Sequence, residues 1–315
     1  MKKSKFLKVF SSAMALSVIL AGCSTSNNSS SKNAPKAKVE FKTEVDNGGS
    51  AVDGATLKYG ILSPTPLTGM WNPIFLTQQS DNEVIGNVVG DTFSTDDEYK
   101  VKQDNEDDPV KFHLDREKKE ITFTVHKDLK WSDGSEVTAK DIVATYELMG
   151  NPKFKENARY TNAFDLIEGM KDYHEGKADK ISGLEKVDDQ TVKIHLEEVY
   201  PALEMGGGAI FGQMIPKHVF KDMSYADAVK SDKSRTDVVG NGPFIVEKVV
   251  PGESVTFKKN PYYFKGEPKV DGLKADVVSP DSVVQEMKAG KYDMASMPAD
   301  QYDTYKDLSN ITLLG

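Results

Sequence analysis

The chain has 315 residues, 40 basic against 49 acidic side chains, a formal net charge of -9 and a 38% hydrophobic fraction. That length accommodates two domains of ordinary size, and an acidic surface argues against nucleic acid and against a polybasic membrane patch. The sole cysteine, Cys23, excludes an intrachain disulfide, so the fold must stand on its core.

The first residues read as an export signal. Lys2, Lys3, Lys5 and Lys8 form a positive leader, followed by an apolar stretch from Val9 to Leu20 that is too short to span a bilayer. It closes on Leu20-Ala21-Gly22-Cys23, which matches the lipobox of bacterial lipoproteins: small residues at 21 and 22 admit the peptidase, and Cys23 supplies the thiol that is lipidated. The expectation is removal of residues 1–22 and a lipid anchor on Cys23, holding the protein on the extracellular face of the cell membrane. Losing four lysines moves the net charge from -9 to about -13. Residues 23–54, opening Ser24-Thr25-Ser26-Asn27-Asn28, are too poor in apolar surface to offset ordering entropy and are expected to form a flexible tether.

Order is expected near Thr56, where Leu57, Tyr59 and Ile61 alternate as in a first strand. A helix over 83–89 would place Val84, Val88 and Val89 on one face. Ile121, Phe123 and Val125 alternate with polar residues, as do Val192, Ile194 and Leu196. Between these strands lies a helix with Thr138 as N-cap, Asp141 three residues on, Ile142, Tyr146 and Met149 on one face, and Gly150 as its stop. Phe244-Ile245-Val246 and Val255-Thr256-Phe257 predict two strands joined by a turn at Pro251-Gly252. A helix over 283–289 capped by Ser282 or Asp281, a strand at Tyr292-Asp293-Met294 and a helix over 300–308 complete the pattern. Strands and helices are mixed throughout, so the class is α/β, mixed α+β.

Enzymatic signatures are missing from this pattern. The five histidines (His113, His126, His174, His195, His218) show no metal-ligand spacing, and His126 and His195 fall on polar strand faces where solvated surface is expected. There is no G-x-S-x-G elbow and no phosphate loop; Gly206-Gly207-Gly208 lacks the lysine and hydroxyl that such a loop needs. The acidic run Asp104-Asn105-Glu106-Asp107-Asp108 lacks the glycine of a calcium loop and is expected to be solvated. No catalytic residue, metal or cofactor is expected.

Four segments carry a resemblance. They are Lys130-Trp131-Ser132-Asp133-Gly134 continuing into Thr138-Ala139-Lys140-Asp141-Ile142; Met214-Ile215-Pro216-Lys217-His218; Gly240-Asn241-Gly242-Pro243-Phe244 with Pro251-Gly252-Glu253 and Asn260-Pro261-Tyr262-Tyr263-Phe264; and Lys288-Ala289-Gly290-Lys291-Tyr292-Asp293. In order and spacing they resemble the oligopeptide-binding group of the extracellular solute-binding proteins of ABC importers (family 5). The motifs themselves are expected to act as scaffold, with Trp131 packed beneath its turn. The resemblance implies a periplasmic-binding-protein-like type II fold, a Venus flytrap. Its first ligand-binding lobe would come from residues 55–91 and 210–315, with an inserted second lobe at 92–209. Family members continue beyond the equivalent of Gly315 into a third domain, so the sequence is expected to stop short of the second jaw.

The implied function is capture of an oligopeptide and its delivery to the permease subunits of an ABC importer, by a monomer with no catalysis. An extended peptide offers a repeating row of N–H and C=O groups, which a polar cleft pairs with whatever the side chains. The positions carried over by resemblance are Thr77, Gln78, Gln79, Ser80, Asp81 and Asn82, read as a loop after the first strand, with Tyr160 in the second lobe and Ser296 and Met297 near the end. The competing expectations are a secreted lipoprotein hydrolase, a peptide-pheromone receptor and a non-functional truncated remnant.

Overall fold

The computed structural model describes residue 42 and residues 54–154, 159–206, 210 and 212–314. The leader, the lipobox with Cys23 and nearly all of the expected tether lie outside these residues. Among the described residues no helix is long and apolar enough to cross a membrane.

Two sheets organise the chain. The first has the order β6-β7-β8-β1-β9, from β1 (Thr56–Leu62), β6 (Phe244–Val250), β7 (Ser254–Lys259), β8 (Gly272–Val278) and β9 (Met294–Ala295). β1 is parallel to β8, with Leu57 opposite Leu273 and Ile61 opposite Val277, and parallel to β9 on its other side. β6 and β7 form the expected hairpin. One face buries Ile61, Phe244, Val255, Phe257 and Ala275 beneath Trp71, Val84 and Val88; the opposite face buries Val278, Val283, Val284 and Tyr292. The second sheet, β2-β3-β5-β4, is wholly antiparallel: β2 (Val110–Asp115), β3 (Glu120–Val125), β5 (Thr191–His195) and β4 (Leu184–Lys186). Its alternation is as expected, with Phe112 opposite Phe123, Phe123 opposite Val192 and Ile121 opposite Ile194.

Helix α2 (Ala139–Met149) lays Ile142, Tyr146 and Met149 into the core behind this second sheet. Its start is pinned as the capping pattern predicts, the Thr138 backbone N–H donating to Asp141 Oδ2 at 2.8 Å. Asp141 is buried and also accepts from the Lys217 backbone N–H at 2.8 Å, which ties the helix to the returning chain. The Thr92 N–H and hydroxyl both donate to Gly212 O, at 3.0 and 2.9 Å, where the chain passes outward and back.

Of the motifs that carry the resemblance, those around Trp131 and over 240–264 meet each other, and the one around Tyr292 packs on the opposite face of the first sheet. Ser132 N–H donates to Gly240 O at 2.8 Å, and Asn260 Nδ2 donates to Gly242 O at 2.8 Å. Gly240 packs so tightly that a Cβ there would meet Val88 O at 2.1 Å. Gly134 adopts φ +85° against the Tyr262 ring, and Lys130 Nζ lies 5.7 Å from that ring's centroid. Trp131 is fully buried. The physical role of the Trp131 segment and the 240–264 segment is to join one sheet to the other.

Several elements differ from the sequence reading. The helix expected over 83–89 is α1 (Gln79–Ile85), so Gln79 to Asn82 are helical rather than loop, and 86–89 continue as turns. Ser282 precedes the helix α6 (Val283–Lys288) but makes no side-chain capping bond. β9 falls at Met294–Ala295 because Tyr292 is taken into the core. The helix over 300–308 shrinks to one 3-10 turn (Ala299–Gln301) and Tyr302–Tyr305. His126 and His195 are half-buried rather than solvated: His126 packs edge-on to Phe264 at 4.6 Å, and His195 Nε2 lies 2.9 Å from Glu185.

Candidate functional site

The expected ligand positions divide by what their side chains already do. Ser80 and Asp81 are buried. Ser80 donates to Pro66 O at 3.0 Å, and Asp81 accepts from the backbone N–H groups of Thr68 at 2.9 Å and Gly69 at 3.2 Å and from the Thr68 hydroxyl. Both hold the loop after β1 against α1. Thr77 and Gln79 are exposed, and Gln78 and Asn82 are half-buried. Gln79 Nε2 donates to Glu83 Oε1 at 2.8 Å, one helical turn on.

Behind α1 stands Tyr59 of β1, half-buried. Burial pushes its hydroxyl pKa up, a bond with the Ser296 side chain opposes the rise, and the Glu83 carboxylate adds to it. Ser296 is exposed immediately after β9, with Met297 beside it packed on the cluster around Val283. Tyr59 therefore links to Ser296 and feels the charge of Glu83, the partner of Gln79; the sequence reading left Tyr59 and Glu83 out of the site. The available signal was the i, i+4 spacing of Gln79 and Glu83, and a tyrosine in an otherwise aliphatic strand face.

Tyr160 belongs to another constellation. Its hydroxyl donates to Asp165 Oδ1 at 2.5 Å, and its ring stacks on His174 at 3.9 Å and on Phe164 at 5.6 Å. Burial and the Asp165 carboxylate hold the hydroxyl well above its ordinary pKa. The larger recess, about 550 Å³, lies elsewhere, between the loop after β1 and Glu253, Lys274, Ser279 and Tyr292. It opens on the sheet face opposite Ala275, and the Lys274–Asp276 pair in its wall is already closed at 2.8 Å. We place the candidate site at Tyr59 because two of the expected ligand positions, Ser296 directly and Gln79 through Glu83, are tied to it.

Other clusters are internally satisfied. In the acidic run Asp104 pairs with His113 at 2.8 Å, Glu106 with Lys111 at 3.1 Å, and buried Asp108 accepts from Ser94 N–H at 3.0 Å. Among the described residues no group of three or more His, Cys, Asp or Glu side chains is placed to hold a metal ion. Ser135, His218 and Asp133 do meet, yet Ser135 Oγ donates to Asp133 Oδ1 at 2.6 Å while His218 Nε2 lies 2.7 Å from Asp133 Oδ2. The carboxylate holds hydroxyl and imidazole alike, so the serine proton goes to Asp133 and not to a base that would activate it. This trio fastens the turn after Trp131 to the helix α4 (Lys217–Phe220).

Residues 110–313 match the family described as bacterial extracellular solute-binding proteins, family 5 Middle. The chain is 33% identical over 326 residues to the oligopeptide-binding protein OppA of Lactococcus lactis subsp. lactis strain IL1403, covering all of this chain and 53% of that protein. To the oligopeptide-binding protein AppA of Bacillus subtilis strain 168 it is 25% identical over 327 residues, covering 52% of that protein. The solved structure of lactococcal OppA complexed with an endogenous peptide in the closed conformation superposes with a TM-score of 0.75 at 35% identity, over 81% of this chain and 48% of that one. The chain spans about half the length of the curated relatives it matches. On the strength of the family match, this protein belongs to the bacterial extracellular solute-binding proteins, family 5.

Proposed function

We propose that the protein is a lipid-anchored extracellular receptor that binds oligopeptides and passes them to an ABC importer, by binding and release rather than catalysis. The observation that carries this reading is the similarity to OppA across the whole of this chain. Cys23 is the anchor in this reading, and the lobes run over 55–91 with 210–315 and over 92–209. The paired crossings at Thr92 and Gly212 support those boundaries. The first lobe's ligand contacts fall at Thr77, Gln78, Gln79 and Asn82 and at Ser296 and Met297, with Tyr160 contributing from the second lobe. Ser80 and Asp81 act beneath them by shaping the loop. A peptide pairs its main chain with such a polar rim, and its binding energy shifts the protein toward a closed form that a permease recognises.

Mass spectrometry of peptides co-purifying with the chain, followed by titration calorimetry with the same peptides, tests the binding reading. Micromolar or tighter binding is expected, and a chain that takes up no peptide from a mixed pool overturns it. Cys23→Ser tests the anchor: the variant is expected in the medium, and continued partitioning into detergent refutes the lipid.

A further inference from the structure

Tyr160 has its proton and its π-surface engaged within its own part of the chain. Its hydroxyl donates to Asp165 Oδ1 at 2.5 Å, the short end of the range for an O–H bonded to a carboxylate. Its ring stacks on His174 at 3.9 Å, with 11° between the planes, and on Phe164 at 5.6 Å. Both supports are fixed in turn. His174 Nδ1 lies 3.1 Å from Gly150 O at the end of α2, and Phe164 is buried in the core. Phe164 and Asp165 share one 3-10 turn (Phe164–Leu166), so adjacent residues supply a stacking ring and the acceptor.

That leaves Tyr160 with a defined chemistry. A phenol carries one O–H and two lone pairs. The proton is committed to Asp165, and burial together with that carboxylate keeps it on the oxygen. What Tyr160 offers outward is acceptor capacity alone: another donor can bond to its oxygen, whereas a carbonyl there would meet lone pairs. A hydroxyl that donates to a carboxylate is also polarised into a stronger acceptor. Tyr160 is half-buried, so a bond made there is weakened less by water than one at the open surface. An extended peptide presents N–H and C=O groups by turns, and such an oxygen accepts only from the former.

Resting on the peptide-binding reading above, we propose that Asp165 is a positioning residue that fixes Tyr160 as an acceptor for a main-chain N–H of the peptide. The experiment is calorimetry of the full chain with an alanine-rich nonapeptide and with analogues in which one amide at a time becomes an ester. The ester removes the N–H and keeps the carbonyl. Wild type, Tyr160→Phe and Asp165→Ala are compared, each checked for its fold by circular dichroism. In wild type the ester at the position facing Tyr160 is expected to cost about tenfold in affinity. Tyr160→Phe keeps the ring and is expected to erase the penalty at that position alone. Asp165→Ala frees the hydroxyl to turn and donate, and is expected to shrink the penalty to about threefold. A pattern of penalties identical in wild type and Tyr160→Phe overturns the acceptor assignment while leaving peptide binding in place. So does a uniform loss across all analogues, which a packing role would give. A penalty unmoved in Asp165→Ala overturns the positioning role. Failure of every peptide to bind overturns the binding reading and this assignment together.

Discussion

The two sheets are built in opposite ways. Every strand of the second comes from residues 110–195 and every pair is antiparallel, β2 with β3 and β4 with β5 as chain neighbours and β3 with β5 across the segment between them. Its β2 edge is closed locally, Leu114 N–H donating to Gln103 Oε1 at 2.9 Å. The first sheet sets β1 between two strands more than 200 residues away, one of them only two residues long. The contact that fixes β9 spans 235 positions, Lys58 N–H donating to Asp293 Oδ2 at 2.7 Å. Longer loops must close before that sheet forms than before the second. The contrast predicts that the two sheets open as separate units.

That contrast can be broken with single residues. The largest effect is expected from Trp131→Ala: the indole is fully buried in the core behind the second sheet, and its removal should cost about 3–5 kcal/mol. Urea denaturation should show the loss in whichever transition carries the second sheet; an unchanged midpoint refutes the packing. Asp141→Ala comes next. It strands the N–H donors of Thr138 and Lys217, and a loss of about 2–3 kcal/mol should couple both regions, because Lys217 lies on the returning chain. Asp81→Ala should cost about 1.5–2 kcal/mol through the Thr68 and Gly69 donors. Hydrogen exchange should speed up around β1 and α1 alone. If amides of β3 and β5 quicken equally, the two sheets unfold as one and the contrast fails.

The sequence made the second sheet readable because local rules govern it. Ile121, Phe123 and Val125 show their alternation within six residues, and the Thr138–Asp141 cap within four. The first sheet hides its logic in distant pairs. Ser80 and Asp81 look like solvent-facing loop residues, yet they turn inward because their partners lie at Pro66, Thr68 and Gly69. No periodicity within 77–82 reports this. Tyr59 and Glu83 escaped for the same reason, since their association with Ser296 needs β9 laid beside β1. The four motifs were legible as a family signature, but the meeting of two of them was not. Only the fold shows that Ser132, Gly240 and Tyr262 meet between the sheets.

The smallest effect lies at that meeting place and depends on pH. Burial alone would raise the Asp133 pKa, but bonds from the Ser135 hydroxyl and backbone and from His218 outweigh it and hold the carboxyl below its ordinary value. A group depressed in the folded state stabilises the fold above its unfolded pKa, about 3.9, and loses that contribution as pH falls through the lower folded value. Asp133→Asn should therefore weaken the protein at neutral pH and converge with wild type in the acid range below about pH 4. The side chains of His218 and Asp133 are 42% and 37% exposed, so solvent screens the pair and the neutral-pH loss should stay under about 1 kcal/mol. Urea midpoints of both proteins between pH 3 and pH 7 decide it. A gap that stays constant across this range would mean that Asp133 acts through the shape of its turn, and that charge adds nothing to the fastening of that turn to α4.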